Sequence, residues 1–337
     1  MSEPKTIQLD QGSGGRAMHE LVQQLFISSF RNEFLLQMND SALVEVNGGR
    51  IAITTDSYVV DPIIFPGGNI GSLAVHGTVN DLSMQGARPL YLTVGFILEE
   101  GLPLDILGLI IDAMAKAARE AGVFIVAGDT KVVPRGKADK IFINTSGIGV
   151  VPPGFHIGGQ NARPGDAVII NGTIGDHGMA VLCKREGLAF ENEILSDAAS
   201  LNGLIAKMLE ARPDIHVLRD PTRGGVATTL NEIAQQSGVG IRLFEELLPI
   251  REDVAGACEL LGLDPLYVAN EGKVIAILPP EAAEEVLAAM RSHPLGKGAC
   301  KIGEVSANDC GRVFMRTRIG GHRLVDMLRG EQLPRIC

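Results

Sequence analysis

A chain of 337 residues is longer than one ordinary core supports and fits two domains of usual size. With 45% hydrophobic residues, 41 glycines, 11 Phe, 3 Tyr and no Trp, it reads as an α/β (α+β) enzyme rather than a fibrous or disordered chain. Its net charge of −10 argues against nucleic acid as the main partner, because phosphate backbones select basic faces.

The first residues, Met1 to Gln8, lack the apolar stretch of a signal peptide, and nowhere do 18 apolar residues run together to span a membrane. The glycine cluster Gly12-Ser13-Gly14-Gly15 precedes a helical pattern of Met18, Leu21, Val22, Leu25 and Phe26. Arg50 to Thr55 is predicted as a strand, Asn69 to Gly86 as a helix and Leu90 to Leu98 as a strand after the Arg88-Pro89 break. Leu104 to Ala121 is the longest predicted helix, closed by Gly122, and strands follow at Val123 to Ala127 and Ile141 to Val151.

Pro152-Pro153-Gly154 marks the best domain boundary. Beyond it come a strand at Ala167 to Asn171, helices near Met179 to Glu186 and Gly225 to Gln236, and a strand near Ile241. A helix ending at Glu259–Gly262, a strand at Val274 to Leu278, a helix at Glu281 to Arg291 and a strand at Lys301 to Val305 complete the alternation. The last stretch reads as a strand, a Gly320-Gly321 turn, a short helix and a tail. The expected organisation is a glycine-rich N-terminal segment (1–40), an N-terminal domain (41–153), a C-terminal domain (154–310) and an extension with a cysteine tail (311–337).

Four aspartates sit where strands or loops meet small, glycine-rich turns: Asp56, Asp81, Asp129 and Asp220. Each alone reads as a turn or helix-cap residue. Together they suit Mg²⁺, which is shared between a few carboxylates and substrate phosphates. Lys131, two residues after Asp129, is placed to neutralise phosphate oxygens. The Gly12–Gly15 cluster reads equally as a phosphate lid or a plain linker. Gly172, Gly175 and Gly178 form either an anion-binding helix start or a tight turn. Glu271 and Lys273 read first as an exposed ion pair.

Five cysteines (183, 258, 300, 310 and 337) are odd in number and lack C-x-x-C spacing, which fits a reducing cytoplasm rather than a disulfide framework. Cys337 ends the sequence, so its thiol is free to swing between solvent and a pocket. A free cysteine is only about 3% thiolate at pH 7. The terminal carboxylate opposes ionisation by about 0.8 kcal/mol, with Arg335 offsetting part of that. The thiol therefore suits a carrier that receives an activated group. Residue patterns alone thus point to a cytoplasmic Mg²⁺–nucleotide enzyme with two domains and a mobile thiol.

Taken together, the motifs resemble one family over nearly the whole chain. They are Gly12-Ser13-Gly14-Gly15, Thr54-Thr55-Asp56-Ser57-Tyr58, Phe65-Pro66-Gly67-Gly68-Asn69-Ile70-Gly71, Gly128-Asp129-Thr130-Lys131, Gly175-Asp176-His177-Gly178, Asp220-Pro221-Thr222-Arg223-Gly224-Gly225, Ala269-Asn270-Glu271-Gly272-Lys273 and Pro334-Arg335-Ile336-Cys337. This set is similar to the nickel–iron hydrogenase maturation factors of the HypE family. Their superfamily includes aminoimidazole ribonucleotide synthetase, selenophosphate synthetase and thiamine-monophosphate kinase. The Pro-Arg-Ile-Cys end is specific to the HypE family.

The resemblance implies a two-domain aminoimidazole ribonucleotide synthetase-like fold whose N-terminal domains pair across a homodimer into a β-barrel, with a flexible C-terminal tail. It implies ATP and Mg²⁺ held by Asp56, Asp81, Asp129 and Asp220, with Gly12, Ser13, Gly14, Gly15, Gly128 and Thr130 also at the nucleotide. A partner carbamoyltransferase, HypF, would load Cys337 with a carbamoyl group. ATP-dependent dehydration would make a thiocyanate, and its cyano group would pass to iron on a HypC–HypD scaffold. Lys131 would neutralise phosphoryl charge. Glu271 is the candidate base for the nitrogen protons, with Lys131 and His177 the alternatives.

Overall fold

The computed structural model describes residues 11, 15–27, 32–46, 48–188, 190, 193–328, 330, 333 and 335–337. Two sheets organise the chain. The first has strand order β1-β2-β7-β5-β6, from β1 (Ala42–Val46), β2 (Gly49–Tyr58), β5 (Arg88–Glu99), β6 (Phe124–Val133) and β7 (Ile141–Val151). A two-residue ladder of β3 (Ile64–Phe65) and β4 (Gly68–Asn69) leads into the helix beneath it.

Strand β7 alternates strictly, with Ile141, Ile143 and Thr145 turned inward. Against that face lies α2 (Ile70–Met84), which follows the short α1 (Arg16–Leu21) in the chain. Asn69 and Ser72 form a reciprocal capping box that starts α2. The helix approaches so closely that a side chain at Gly77 would put its Cβ 2.2 Å from the Tyr58 hydroxyl. Next, α3 (Leu104–Ala121) buries Ile110, Met114, Ala117 and Ala121 and stops at Gly122 in the left-handed region.

The opposite face of this sheet carries bare apolar side chains. Ile53 and Tyr91 both pair with Ile148, and all three are exposed. Edge strand β6 is exposed along both faces from Phe124 to Val132. Among the described residues the sheet does not close, and β1 and β6 are its two edges.

The second sheet runs β14-β13-β10-β12-β8-β11-β9. Its strands are β8 (Ala167–Ile170), β9 (Val217–Arg219), β10 (Gly240–Phe244), β11 (Ile275–Leu278), β12 (Cys300–Ser306), β13 (Val313–Arg316) and β14 (His322–Val325). Central β8 and β11 are wholly buried, so they read as unbroken apolar runs. Val168 and Ile170 pack toward α6 (Gly225–Ser237), whereas Ile169 packs toward α5 (Asn202–Ala211) and α8 (Ala283–Arg291). Helices α4 (Asp176–Glu186) and α7 (Glu252–Leu261) bridge to the first sheet, and Leu333 and Ile336 share that core. Among the described residues, no helix is long and apolar enough to cross a membrane.

Several predicted elements need correction. The segment after Gly320-Gly321 is strand β14, antiparallel to β13, not a short helix. The predicted N-terminal helix is a single α-turn followed by π-helical Val22–Ile27. Residues 281–282 form a 3₁₀ turn before α8 begins.

Candidate functional site

A cleft of about 550 Å³ lies between the first sheet, the turn after β9 and the N-terminal segment. Its floor is acidic and holds Asp56 from β2, Asp81 from the end of α2, Asp220 after β9, and Glu271. Its far wall is apolar, from Met18, Val22, Phe34, Leu35 and Met38. One site thus offers a greasy shelf and a cluster of hard oxygen donors.

The floor is built from tight turns. Asp220 begins a loop in which Thr222 N–H returns to the Asp220 carbonyl at 3.0 Å. Gly224 and Gly225 follow in the left-handed region, and a Cβ on Gly225 would stand 2.5 Å from the Leu266 carbonyl. That approach lets the chain turn directly into α6. The Thr54 hydroxyl donates to Asp81 Oδ2 at 2.8 Å across the strand–helix contact.

Burial and mutual repulsion push these carboxyls up. Asp220 rises to about 8, through desolvation and the charge of Asp40. Asp81 is held well above the ordinary carboxylate range by desolvation and by Asp220, Asp56 and Asp40. Desolvation likewise raises Asp56 and Glu271, the latter also facing Asp220, Asp56 and Asp197. Arg219, 2.8 Å from Asp40 and 2.7 Å from Glu232, closes one side of the cleft. Crowded carboxylates of this kind suit a hard divalent cation that shares its remaining positions with phosphate oxygens. Among the described residues, however, no three His, Cys, Asp or Glu side chains are arranged so that they could hold a metal ion by themselves.

The four-aspartate set divides. Gly128, Asp129, Thr130 and Lys131 lie on exposed β6 and do not line the cleft of their own chain. Lys131 Nζ instead meets Asp129 Oδ2 at 2.5 Å, which holds that carboxyl below its usual range. Gly15 also stands apart, where a Cβ would meet the Leu328 carbonyl at 2.5 Å. Gly12, Ser13 and Gly14 lie outside the described residues.

The Glu271–Lys273 pair is not exposed. Both are buried, and Lys273 bonds Asp197 at 2.8 Å rather than Glu271. Glu271 Oε1 has no hydrogen-bond partner.

Cys337 lines the same cleft, and the tail behind it is docked. Val59 N–H donates to an oxygen of the Cys337 terminal carboxylate at 3.0 Å and Asp61 N–H to the Arg335 carbonyl at 3.2 Å. Arg185 also donates to the Arg335 carbonyl at 2.8 Å. Arg335 turns away from the thiol to the Val59 carbonyl and Asp139, so it does not offset the terminal charge. Arg223 is the cation that faces Cys337, Asp56 and Glu271. Burial still pushes the thiol up to about 12.

His177 serves this docking. Its Nε2 lies 2.8 Å from the Ile336 carbonyl, an acceptor only, so Nε2 carries the proton and Nδ1 accepts from the Ser196 hydroxyl. Burial lowers its pKa and keeps it neutral. His177 thus bonds the tail through the Ile336 carbonyl and does not line the cleft. Sequence reading also left Arg223, Arg219, Asp40 and Asp197 without roles. Only Arg223 carried a signal, being three residues after Asp220 in a Gly-Gly turn.

Residues 38–151 match the family model for the N-terminal domain of AIR synthase related proteins, and residues 163–316 match that for the C-terminal domain. The chain is thus a two-domain protein of the AIR synthase related class. Within it, the chain is 59% identical over 332 residues to carbamoyl dehydratase HypE of Azotobacter vinelandii, covering 98% of this chain and 97% of the relative. The Escherichia coli K12 relative of the same name is 48% identical over 336 residues, covering 98% and 99%. The chain belongs to the HypE carbamoyl dehydratase family. A solved HypE structure in complex with ATP superposes with a TM-score of 0.83 at 57% identity, covering 98% of this chain and all of that one. A HypE–HypF complex gives 0.87 at 53% identity, covering 91% and 99%.

Proposed function

We propose that this chain is a cytoplasmic, ATP-dependent carbamoyl dehydratase that converts an S-carboxamide on Cys337 to a thiocyanate, the cyanide source for nickel–iron hydrogenase maturation. The carrying observation is the docked thiol of Cys337 within the acidic cleft beside Glu271 and Arg223. An amide oxygen leaves poorly. ATP phosphorylates it, the nitrogen loses its two protons, the C–O bond breaks, and phosphate departs as the C≡N bond completes.

Asp56, Asp81 and Asp220 are the residues that would hold Mg²⁺, which supplies charge neutralisation at the phosphates when bound. Arg223 offsets negative charge on the activated amide. Glu271, buried and with an unpartnered Oε1, takes a proton from the amide nitrogen. Burial and the charges of Asp220, Asp56 and Asp197 raise its pKa, which makes it a stronger proton acceptor once ionised. The apolar shelf of Phe34, Leu35 and Met38 suits the nucleobase.

The exposed apolar face of the first sheet and open strand β6 suit pairing with a second copy into a closed barrel. Asp129, Thr130, Gly128 and Lys131 lie on that pairing edge. We read them, with Gly12 to Gly15, as nucleotide contacts made once the pair is assembled. A flexible phase of the tail belongs to the same cycle: the thiol leaves the cleft to be loaded by HypF, returns for dehydration, and then delivers to the HypC–HypD scaffold.

Intact mass after incubation with carbamoyltransferase, carbamoyl phosphate and ATP tests the reading. A gain of one carbamoyl group, then loss of one water with ATP, is expected; an unchanged mass with a competent partner overturns it. The docked geometry adds a prediction. One bulky residue appended after Cys337 must enter the cleft behind the thiol. It should slow dehydration by roughly tenfold or more while nucleotide affinity, measured by calorimetry, stays near that of the parent.

A further inference from the structure

The Glu271 backbone is held on both its N–H and its carbonyl, and the carboxylate that takes the N–H lies outside the cleft. Asp197, in the extended stretch between α4 and α5, accepts the Glu271 N–H at Oδ1 at 3.1 Å. Its Oδ2 accepts the Gly272 N–H at 3.2 Å and Lys273 Nζ at 2.8 Å. One carboxylate thus grips three consecutive residues. On the other side of the peptide, Asn80, next to Asp81 on α2, donates to the Glu271 carbonyl at 3.2 Å. The same amide takes the Leu201 N–H at 2.8 Å and so fixes the Asp197 stretch to the helix that carries Asp81.

The fit leaves no slack. A Cβ on Gly272 would stand 1.9 Å from the Asp197 carbonyl, so the two segments lie in backbone contact. Asn171 accepts the Val274 N–H at 2.8 Å and donates to the Gly272 carbonyl at 3.1 Å, closing the frame from below. The Glu271 N–H and carbonyl are both bonded into this frame, whereas its own Oε1 is left without a partner. A group with a satisfied backbone and an unsatisfied carboxyl oxygen is pre-aimed.

We propose that Asp197 is a positioning residue for the dehydration step: it fixes the Glu271 peptide from the nitrogen side, with Asn80 on the carbonyl side, so that the carboxyl meets the amide nitrogen of the substrate held on Cys337. This rests on the reading of Glu271 as the base. Asp197 touches no reacting atom and acts only through the 271–273 backbone. Although burial opposes ionisation, the Lys273 ammonium 2.8 Å away holds the Asp197 carboxyl below its usual range.

Single-turnover dehydration of carbamoyl-loaded protein tests this with Asp197→Asn, the pair Asp197→Asn with Lys273→Met, and Glu271→Gln. Both Asp197 variants should dehydrate roughly 10- to 100-fold more slowly, the cost of about an ångström of misplacement, with the KM for ATP within about twofold of the parent. The pair leaves no buried ammonium without a partner, so it should regain thermal stability lost by the single variant yet remain slow. Slow Glu271→Gln with parental rates in both Asp197 variants would overturn the positioning role alone. Recovery of rate together with stability in the pair would do the same, because Asp197 would then be only a counter-ion. A parental rate in Glu271→Gln would instead remove the base assignment, and this inference with it.

Discussion

Cys337→Ala should yield no cyanated protein while binding ATP as the parent does. The cleft contains one thiol. Cys183 and Cys258 are buried elsewhere, Cys300 and Cys310 lie on the second sheet or its loops, and none of the four lines the cleft. Removing the sulfur leaves the acidic floor and the apolar shelf in place, so calorimetry should give an unchanged nucleotide affinity. Intact mass after the full reaction should show neither the carbamoyl gain nor the later water loss. A cyanated Ala variant would show that another side chain carries the group and that the docked tail is incidental.

Asp81→Asn should abolish ATP turnover and at the same time stabilise the cation-free fold. Both effects come from the same crowding. Asp81 is pushed well above its ordinary range by burial and by Asp220, Asp56 and Asp40. A carboxyl raised in the folded state is matched by the unfolded state only below about pH 4. As pH rises, the unfolded chain ionises while the folded one resists, and the fold loses stability until the raised pKa is passed. The amide removes that loss, so the gain in thermal midpoint should be absent below about pH 4 and grow as the pH rises above it. Thr54 keeps an acceptor, since the Asn oxygen replaces Oδ2. Unimpaired turnover, or a gain that shrinks with rising pH, would defeat the assignment of Asp81 to the cation site.

Periodicity located much of the regular structure because long apolar segments carry their own signal. Leu104–Ala121 and Ile141–Val151 are predicted to the residue, the first fixed by Gly122 and the second by strict alternation. Short pieces such as β9 and α5 escaped, since three buried residues or ten mixed ones have no distinctive period. The tail end was misread because His322–Val325 takes its strand form from pairing with β13, not from its own sequence.

The site was legible as a set of residue types and not as an arrangement. Asp56, Asp81 and Asp220 are 25 or more residues apart and meet only because β2, α2 and the turn after β9 converge. Nothing in the local pattern of Asp129 tells that β6 turns it away from that cleft. Lys273 looked like the partner of Glu271 two residues before it, but Asp197, 76 residues away, claims it.

The last three residues are held oxygen by oxygen: Arg335 by Asp61 and Arg185, Ile336 by His177, and Cys337 by Val59. A chain gripped at every step is a ruler, and the distance it measures runs from Arg335 to the sulfur. Arg335 turns the chain through the left-handed region, so inserting one residue there would shift every grip by one notch and carry the thiol out of its docked place in the cleft. The length of this segment is therefore as much a part of the chemistry as the sulfur it carries, and a homologue could change Ile336 to another apolar residue more safely than it could gain or lose one.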